Sequence, residues 1–198
     1  MAAKPQSFEY EPPPGVPHTN ATYEERGVTI RNMRPIAAEF SLEREGVQLV
    51  AEPSRVRDFY DEAQVRATYY PEAERLVAEL TGAKRVVIFD HTIRRRVAGA
   101  SDRAYELPRQ PVPRVHVDYT VRSGPQRVRD LLADEAQELL RRRFSIVNLW
   151  RPIRGPLQDA PLAVSDAQSV RFDDLVATDL LYQDRTGEVY MVKYNPSQ

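Results

Sequence analysis

A mainly β fold, a jelly roll or barrel carrying added helices, is what the sequence predicts, and three observations point to it. The last third consists of short β-branched and aromatic runs cut by Pro, Gly and Asp turns. Helical periodicity is confined to two stretches, 55–83 and 123–143. No βαβ alternation and no glycine-rich phosphate loop occurs, which disfavours a dinucleotide fold. At 198 residues the chain suits one domain with a normal core.

From the N-terminus, Pro12, Pro13, Pro14 and Pro17 predict an extended arm over residues 1–30, because proline fixes its own backbone and pushes its predecessor out of the helical region. The arm should wrap the domain or stay mobile. Residues 31–198 then form the β domain with helical insertions. GVTIRNM (27–33) and GVQLVAE (46–52) read as short strands. RVRDFYDEAQVRATYY and PEAERLVAELTGA carry helical spacing, with Pro71 suited to a first turn and Leu76, Val77 and Leu80 forming the buried stripe. RVVIFD (85–90) reads as a central strand. SGPQRVRDLLADEAQELLRRR (123–143) predicts the firmest helix: Ser123 caps it, Pro125 opens it, and Val128, Leu131, Leu132, Leu139 and Leu140 line one side. FSIVNLW, PLAVSDA and GEVYMVKYN predict three closing strands. In the first of these, alternation puts Ile146, Asn148 and Trp150 on one face, with Trp150 expected in the core.

Composition narrows the function. A formal net charge of −1 gives no global pull toward nucleic acid or anionic lipid. No run of about 18 apolar residues and no signal-like apolar segment is present, so a cytoplasmic protein without a membrane partner is expected. Without cysteine, any metal must be held by His, Asp or Glu, and there are only three histidines. No Gly-x-Ser-x-Gly motif supports a serine hydrolase. Paired-carboxylate glycoside chemistry has no positive support either.

The stretch RVHVDYT (114–120) carries the sharpest signal. Side chains two apart on a strand share a face, so His116, Asp118 and Thr120 point one way while Val115, Val117 and Tyr119 point the other. An imidazole and a carboxylate held this way can chelate one ion, as in the two-histidine, one-carboxylate triad of non-haem Fe(II) oxygenases. Spacing alone leaves a second reading open, a hydrogen-bonded His–Asp pair on a solvated strand face. Arg94, Arg95 and Arg96 can clamp a carboxylate or form intramolecular ion pairs. Arg141, Arg142 and Arg143 close a helix end, where the dipole favours cations.

The blocks VVIFDHTIRRR (86–96), RVHVDYTVRSGPQRVRDLL (114–132), IVNLWRPIRGPLQDAPLAVSDAQSV (146–170) and ATDLLYQDRTGEVYMVKYNP (177–196) resemble, in order and character, a family of hydroxylases and desaturases of secondary metabolism. Its members include the aspergillic-acid pathway hydroxylase, the gibberellin desaturase and the small component of cephamycin methoxylation. The resemblance runs from about Arg31 onward. It implies a double-stranded β-helix, Fe(II) and 2-oxoglutarate as cofactors, a small-molecule substrate, and His116 and Asp118 as the first two iron ligands.

One departure from the family pattern matters. No histidine comes after His116, whereas the family supplies its distal His, and then a basic residue for the 2-oxoglutarate carboxylate, farther downstream. The expectation is therefore a C-terminally shortened member, working as an oxidoreductase with an incomplete triad or persisting as a non-catalytic interaction protein. An unpaired strand edge would favour homo-oligomers. For the missing donor, His91 at the end of RVVIFD can approach the barrel mouth, or it can cap a turn. His18 sits in the Pro-rich arm, where ordering costs entropy. Asn148 and Arg151 are candidates for contacting the acidic co-substrate.

Overall fold

The computed structural model describes residues 3–100 and 109–196. Among these, four strands form one sheet: β1 (Gln6–Phe8), β2 (His116–Val117), β3 (Leu175–Leu181) and β4 (Thr186–Val192), in the order β1-β3-β4-β2. β3 and β4 make an antiparallel hairpin paired from Leu175↔Val192 to Leu181↔Thr186. Short β2 lies antiparallel on the outer side of β4, with His116↔Met191 and Val117↔Tyr190. β1 lies parallel to β3, so Gln6–Phe8 of the N-terminal arm is laid along the sheet. Thr19 Oγ1 donates to Gln6 O at 2.7 Å and Phe8 N to His18 O at 2.8 Å, doubling the arm back on itself.

The hairpin is where the core sits. Val189 and Tyr190 are adjacent on β4 and point to opposite faces, yet both are buried, so both faces of the sheet are covered there. Thr178 opposite them is fully enclosed, and its hydroxyl donates to Val176 O at 3.1 Å. Away from the hairpin burial thins out. The chain exposes 14,969 Å², whereas a compact monomer of its 22.7 kDa would expose roughly 9,500 Å².

The first helical stretch runs as α1 (Glu62–Gln64), a π-helical turn over Val65–Tyr69, and α2 (Tyr70–Thr81). Asp61 caps it, accepting from Ala63 N and Gln64 N. Pro71 has no N–H, and the wider turn just before it takes up the register, with Tyr70 N bonding Val65 O. Val65, Ala73 and Leu76 are buried, while Val77 and Leu80 are only half-buried. Gly82, at φ 67°, closes α2 by donating to Ala78 O.

The second stretch is not one helix. It forms α3 (Ser123–Leu131) and a short α4 (Ala136–Leu139). Leu132 leaves helical geometry, and Glu135 N turns back to Leu132 O at 2.8 Å, which brings Ala136 rather than Leu131 into the core. Ser123 is inside the helix and does not cap it. The cap is Thr120, whose Oγ1 accepts from Arg122 N at 3.1 Å and Ser123 N at 3.0 Å.

GVTIRNM, GVQLVAE, RVVIFD, FSIVNLW and PLAVSDA form no strand. Their alternation is genuine, but a strand needs a hydrogen-bonded partner, and among the described residues no ladder pairs them. Val28, Ile30, Val147, Leu149 and Trp150 are accordingly exposed, so Trp150 is not the core residue its alternation suggests. Of the closing strands, GEVYMVKYN alone is realised, as β4.

Thr120 is 5% exposed and bonds to three partners, so replacing it with Val takes the acceptor from the Arg122 and Ser123 N–H groups and the donor from Glu188. Thr120→Val should lower unfolding stability by about 1–3 kcal/mol in chemical denaturation. Arg129→Gln, on the exposed side of α3, should change it by less than about 0.5 kcal/mol.

Candidate active site

His116 is placed by its pairing with Met191, which turns its side chain to the same side as Asp118 and Thr120. Its Nδ1 is 2.8 Å from Arg114 O. A carbonyl oxygen only accepts, so Nδ1 carries the proton and Nε2 is the free lone pair of the neutral ring. Nε2 lies 3.1 Å from Asp118 Oδ1. The other carboxylate oxygen, Oδ2, accepts from Asn148 Nδ2 at 2.5 Å. Nε2 and Oδ1 are therefore in direct hydrogen-bond contact, and a neighbour fixes each group from behind.

The electrostatics match this geometry. The hydrogen bond with Asp118 raises the His116 imidazole above its ordinary value, against burial and with help from the Arg114 carbonyl. Asp118 is held below the usual carboxylate range by His116 first, against burial, with Asn148 adding to it. A proton shared between Nε2 and Oδ1 satisfies the pair in the bare protein. A divalent cation suits the same two donors and would displace that proton.

Around the pair the protein is recessed but open. A groove of about 410 Å³ runs beside it. Val117 to Val121, Gly124 and Pro125 form one wall, and Phe144, Ser145, Ile146 and Asn148 form the other. β1 and β2 lie at opposite edges of the sheet.

The remaining candidates lie elsewhere. His91 uses both ring nitrogens: Nδ1 is 2.9 Å from Tyr70 Oη and Nε2 is 3.0 Å from Glu62 Oε2, so it ties residues 90–92 to the first helical stretch. His18 Nε2 faces Glu11 at 3.6 Å in the arm. Arg151 donates to Glu52 O and lies over the rings of Tyr69 at 5.3 Å and Phe59 at 5.9 Å. Asn148 alone of the two co-substrate candidates reaches the pair. Among the described residues no group of three His, Asp or Glu that could hold a metal is assembled. Arg96 pairs with Asp159, Arg141 and Arg142 with Glu138, and Arg143 with Glu43, as expected for intramolecular ion pairs.

Sequence reasoning misses the residues that hold the motif in place. Thr120 Oγ1 donates to Glu188 Oε1, Ser123 Oγ donates to Glu188 O at 2.7 Å, and Lys4 reaches Glu188 Oε2. Partners 65 or more positions apart leave no local signal.

The whole chain, residues 1–198, matches the family model described as the oxidoreductase/YMDC permease-like domain. The chain belongs to this family. Among curated relatives it is 34% identical over 172 residues to oxidoreductase AN1597 of Emericella nidulans, covering 84% of this chain and 58% of that protein. It is 33% identical to hydroxylase/desaturase efuI of Hormonema carpetanum, covering 87% of this chain and 61% of efuI. The Fe(II)/2-oxoglutarate-dependent dioxygenase nvfI of Aspergillus novofumigatus is 30% identical, with 85% of this chain and 60% of nvfI covered. The chain thus spans about three fifths of the length of these relatives. In three dimensions it superposes on the iron and alpha-ketoglutarate-dependent endoperoxidase NvfI with a TM-score of 0.83 at 24% identity, covering 98% of this chain and 73% of that one. This establishes the jelly-roll fold expected from the family's blocks. No helix among the described residues is long and apolar enough to cross a membrane.

The two shifts define a pH window. His116, raised on folding, stabilises the fold below its unfolded value of about 6.5, and that contribution is lost as pH rises through the raised value. Asp118, lowered on folding, stabilises it above about 3.9, and that contribution is lost as pH falls. NMR titration of the metal-free protein should find His116 above the ordinary imidazole value in wild type and lower in Asp118→Asn. The stability difference between the two should be greatest between about pH 4 and 6.5.

Proposed function

We propose that this protein is an oxygenase-type oxidoreductase using Fe(II) and 2-oxoglutarate to hydroxylate or desaturate a small secondary metabolite. His116 Nε2 and Asp118 Oδ1 are its protein ligands. The observation that carries the reading is the lock on the imidazole: with Nδ1–H committed to Arg114 O, the ring presents Nε2 toward Asp118 Oδ1. The activities for which efuI and nvfI are named support it. Residues 31–198 form the working domain and residues 1–30 an arm against its sheet, and the cytoplasmic setting expected from the sequence goes with this reading.

Bound iron and 2-oxoglutarate supply the oxidising power for a C–H bond. The chain's own residues do the rest. Arg114 O keeps the proton on Nδ1, and Asn148 Nδ2 holds Oδ2 so that Oδ1 faces the imidazole. The groove beside them, lined by Val121, Phe144 and Ile146, receives an apolar substrate. His91 is bound through both nitrogens, so among the described residues His116 and Asp118 are the side chains offered to the metal.

A specific observation favours a second role, association with another copy of the chain. β2 is an edge strand of two residues, its Val117 is exposed, and exposed Val115 and Val121 lie on either side of it in sequence. The open surface far exceeds that of a compact monomer. Concentration-dependent light scattering should give a dimer or larger species. A monomer at every concentration would contradict this role.

Anaerobic titration with Fe(II) and 2-oxoglutarate should produce a metal-to-ligand charge-transfer band in wild type and none in His116→Ala. Asn148→Ala should weaken Fe(II) binding about tenfold or more. Absence of the band in wild type, with His116→Ala behaving identically, would overturn the oxygenase reading.

A further inference from the structure

The groove beside the His–Asp pair selects among ligands by its own chemistry. Of the described side chains that line it, Asp118 alone carries a charge, and His116 and Asn148 already engage it. Thr120 is spent on Glu188 and on the first N–H groups of α3. Two polar groups of the opposite wall stay open: among the described residues neither Ser145 Oγ nor Asn148 Oδ1 has a hydrogen-bond partner. The rest of that wall, Phe144 and Ile146, is apolar and includes an aromatic ring against which another ring can pack. An anion entering here would give up water and meet no cation. An apolar body with one hydroxyl finds both contacts it needs, because the Asn148 carbonyl oxygen accepts and the Ser145 hydroxyl donates.

The two walls meet at Gly124. This residue is buried in the first turn of α3, its N–H donates to Thr120 O at 3.0 Å, and its φ lies outside the left-handed region, so the backbone does not call for glycine. In a helix glycine is also inferior to alanine. Its use is spatial. A Cβ at this position would stand 3.8 Å from Phe144 Cε2 and 3.9 Å from Ile146 Cδ1, already in van der Waals contact with the facing wall. Any longer side chain must therefore rise into the groove or push residues 144–146 outward. The groove's volume of about 410 Å³ is that of a small-molecule site, so filling its floor removes room a ligand needs.

We infer that the groove seats an uncharged, largely apolar ring compound bearing a hydroxyl, with Ser145 and Asn148 taking the hydroxyl and Gly124 determining how large a ring system fits. The inference rests on the reading of this groove as the substrate's seat and adds the substrate's chemical class and the residue that sets its size. Gly124 is a specificity-determining residue and takes no part in the chemistry at His116 and Asp118.

NMR titration of the metal-free full chain, read at the Gly124 amide and the Ile146 methyl signals, tests the inference with 2-naphthol, naphthalene, 2-naphthoate and phenol as probes. 2-Naphthol should bind saturably, and naphthalene about 2- to 10-fold more weakly for want of a hydrogen bond. 2-Naphthoate should bind more weakly than 2-naphthol, and Ser145→Ala should bring 2-naphthol toward naphthalene. Gly124→Leu should lower the 2-naphthol affinity at least about tenfold while phenol, the smaller ring, still binds, and Gly124→Ala should fall between. Retained phenol binding shows that the Gly124→Leu fold persists, and a change in size preference is a result that destabilisation alone does not give. Arg129→Gln, on the exposed side of α3, should bind every probe as wild type does. No saturable shift, 2-naphthoate binding as tightly as 2-naphthol, an unaltered 2-naphthol affinity in Gly124→Leu, or an equal loss of 2-naphthol and phenol there would contradict the inference. The oxygenase reading fails on a different result, a missing charge-transfer band with Fe(II) and 2-oxoglutarate, so the two failures are distinguishable.

Discussion

Glu188 is the residue on which the arrangement depends. β2 contributes two ladder pairs, too few to hold an edge strand by itself. The segment leading from β2 into α3 is anchored by Glu188 on the neighbouring strand: its side chain accepts from Thr120, its carbonyl from Ser123, and its other oxygen meets Lys4 from the arm. Burial would raise the Glu188 carboxyl, but Lys4 and Thr120 outweigh it and hold the group ionised. A charge-assisted cluster of this kind, 12% exposed at Glu188, is stronger than a surface pair. It joins the arm, the hairpin and the N-terminus of α3 at one point, and Asp118 sits two residues before Thr120.

From that anchor the chemistry builds up in sequence order. A strand held at both 116–117 and 120 leaves residue 118 little freedom, so its carboxylate stays beside the imidazole two residues earlier. The backbone carbonyl of Arg114 chooses the tautomer, and Asn148 chooses which carboxylate oxygen is free. Asn148 comes from a segment without ladder bonds, so this contact is also what tethers residues 144–148 across the groove. Site and groove are thus two consequences of one short edge strand pinned at its end.

What can be read in the sequence divides along physical lines. The His-x-Asp alternation and the β4 run are legible because strand periodicity is local, and β4 also has its hairpin partner β3 close by in sequence. The first helical stretch is legible too, with Pro71 in the first turn of α2 as its position suggests, although the π-helical turn that precedes it has no periodic signal. The second reads as one helix because its apolar spacing continues through Leu132, whose departure from helical geometry no periodicity encodes. FSIVNLW and RVVIFD show why alternation is insufficient: a strand exists only where a second backbone supplies the ladder. The Glu188 anchor joins residues 65 or more positions apart, and no window of sequence contains it. Family resemblance supplies what spacing alone leaves open, the weight of His116 and Asp118 over an ordinary solvated pair.

The central claim is that His116 Nε2 and Asp118 Oδ1 converge to grip one divalent cation. Paramagnetic broadening by substoichiometric Mn(II), read residue by residue in the NMR spectrum, tests it most directly. The account predicts that signals of His116, Asp118 and the Asn148 side-chain amide vanish first, and that Asp118→Asn abolishes the effect. Broadening centred instead on Glu62 and His91, or spread evenly over the acidic surface, would contradict it.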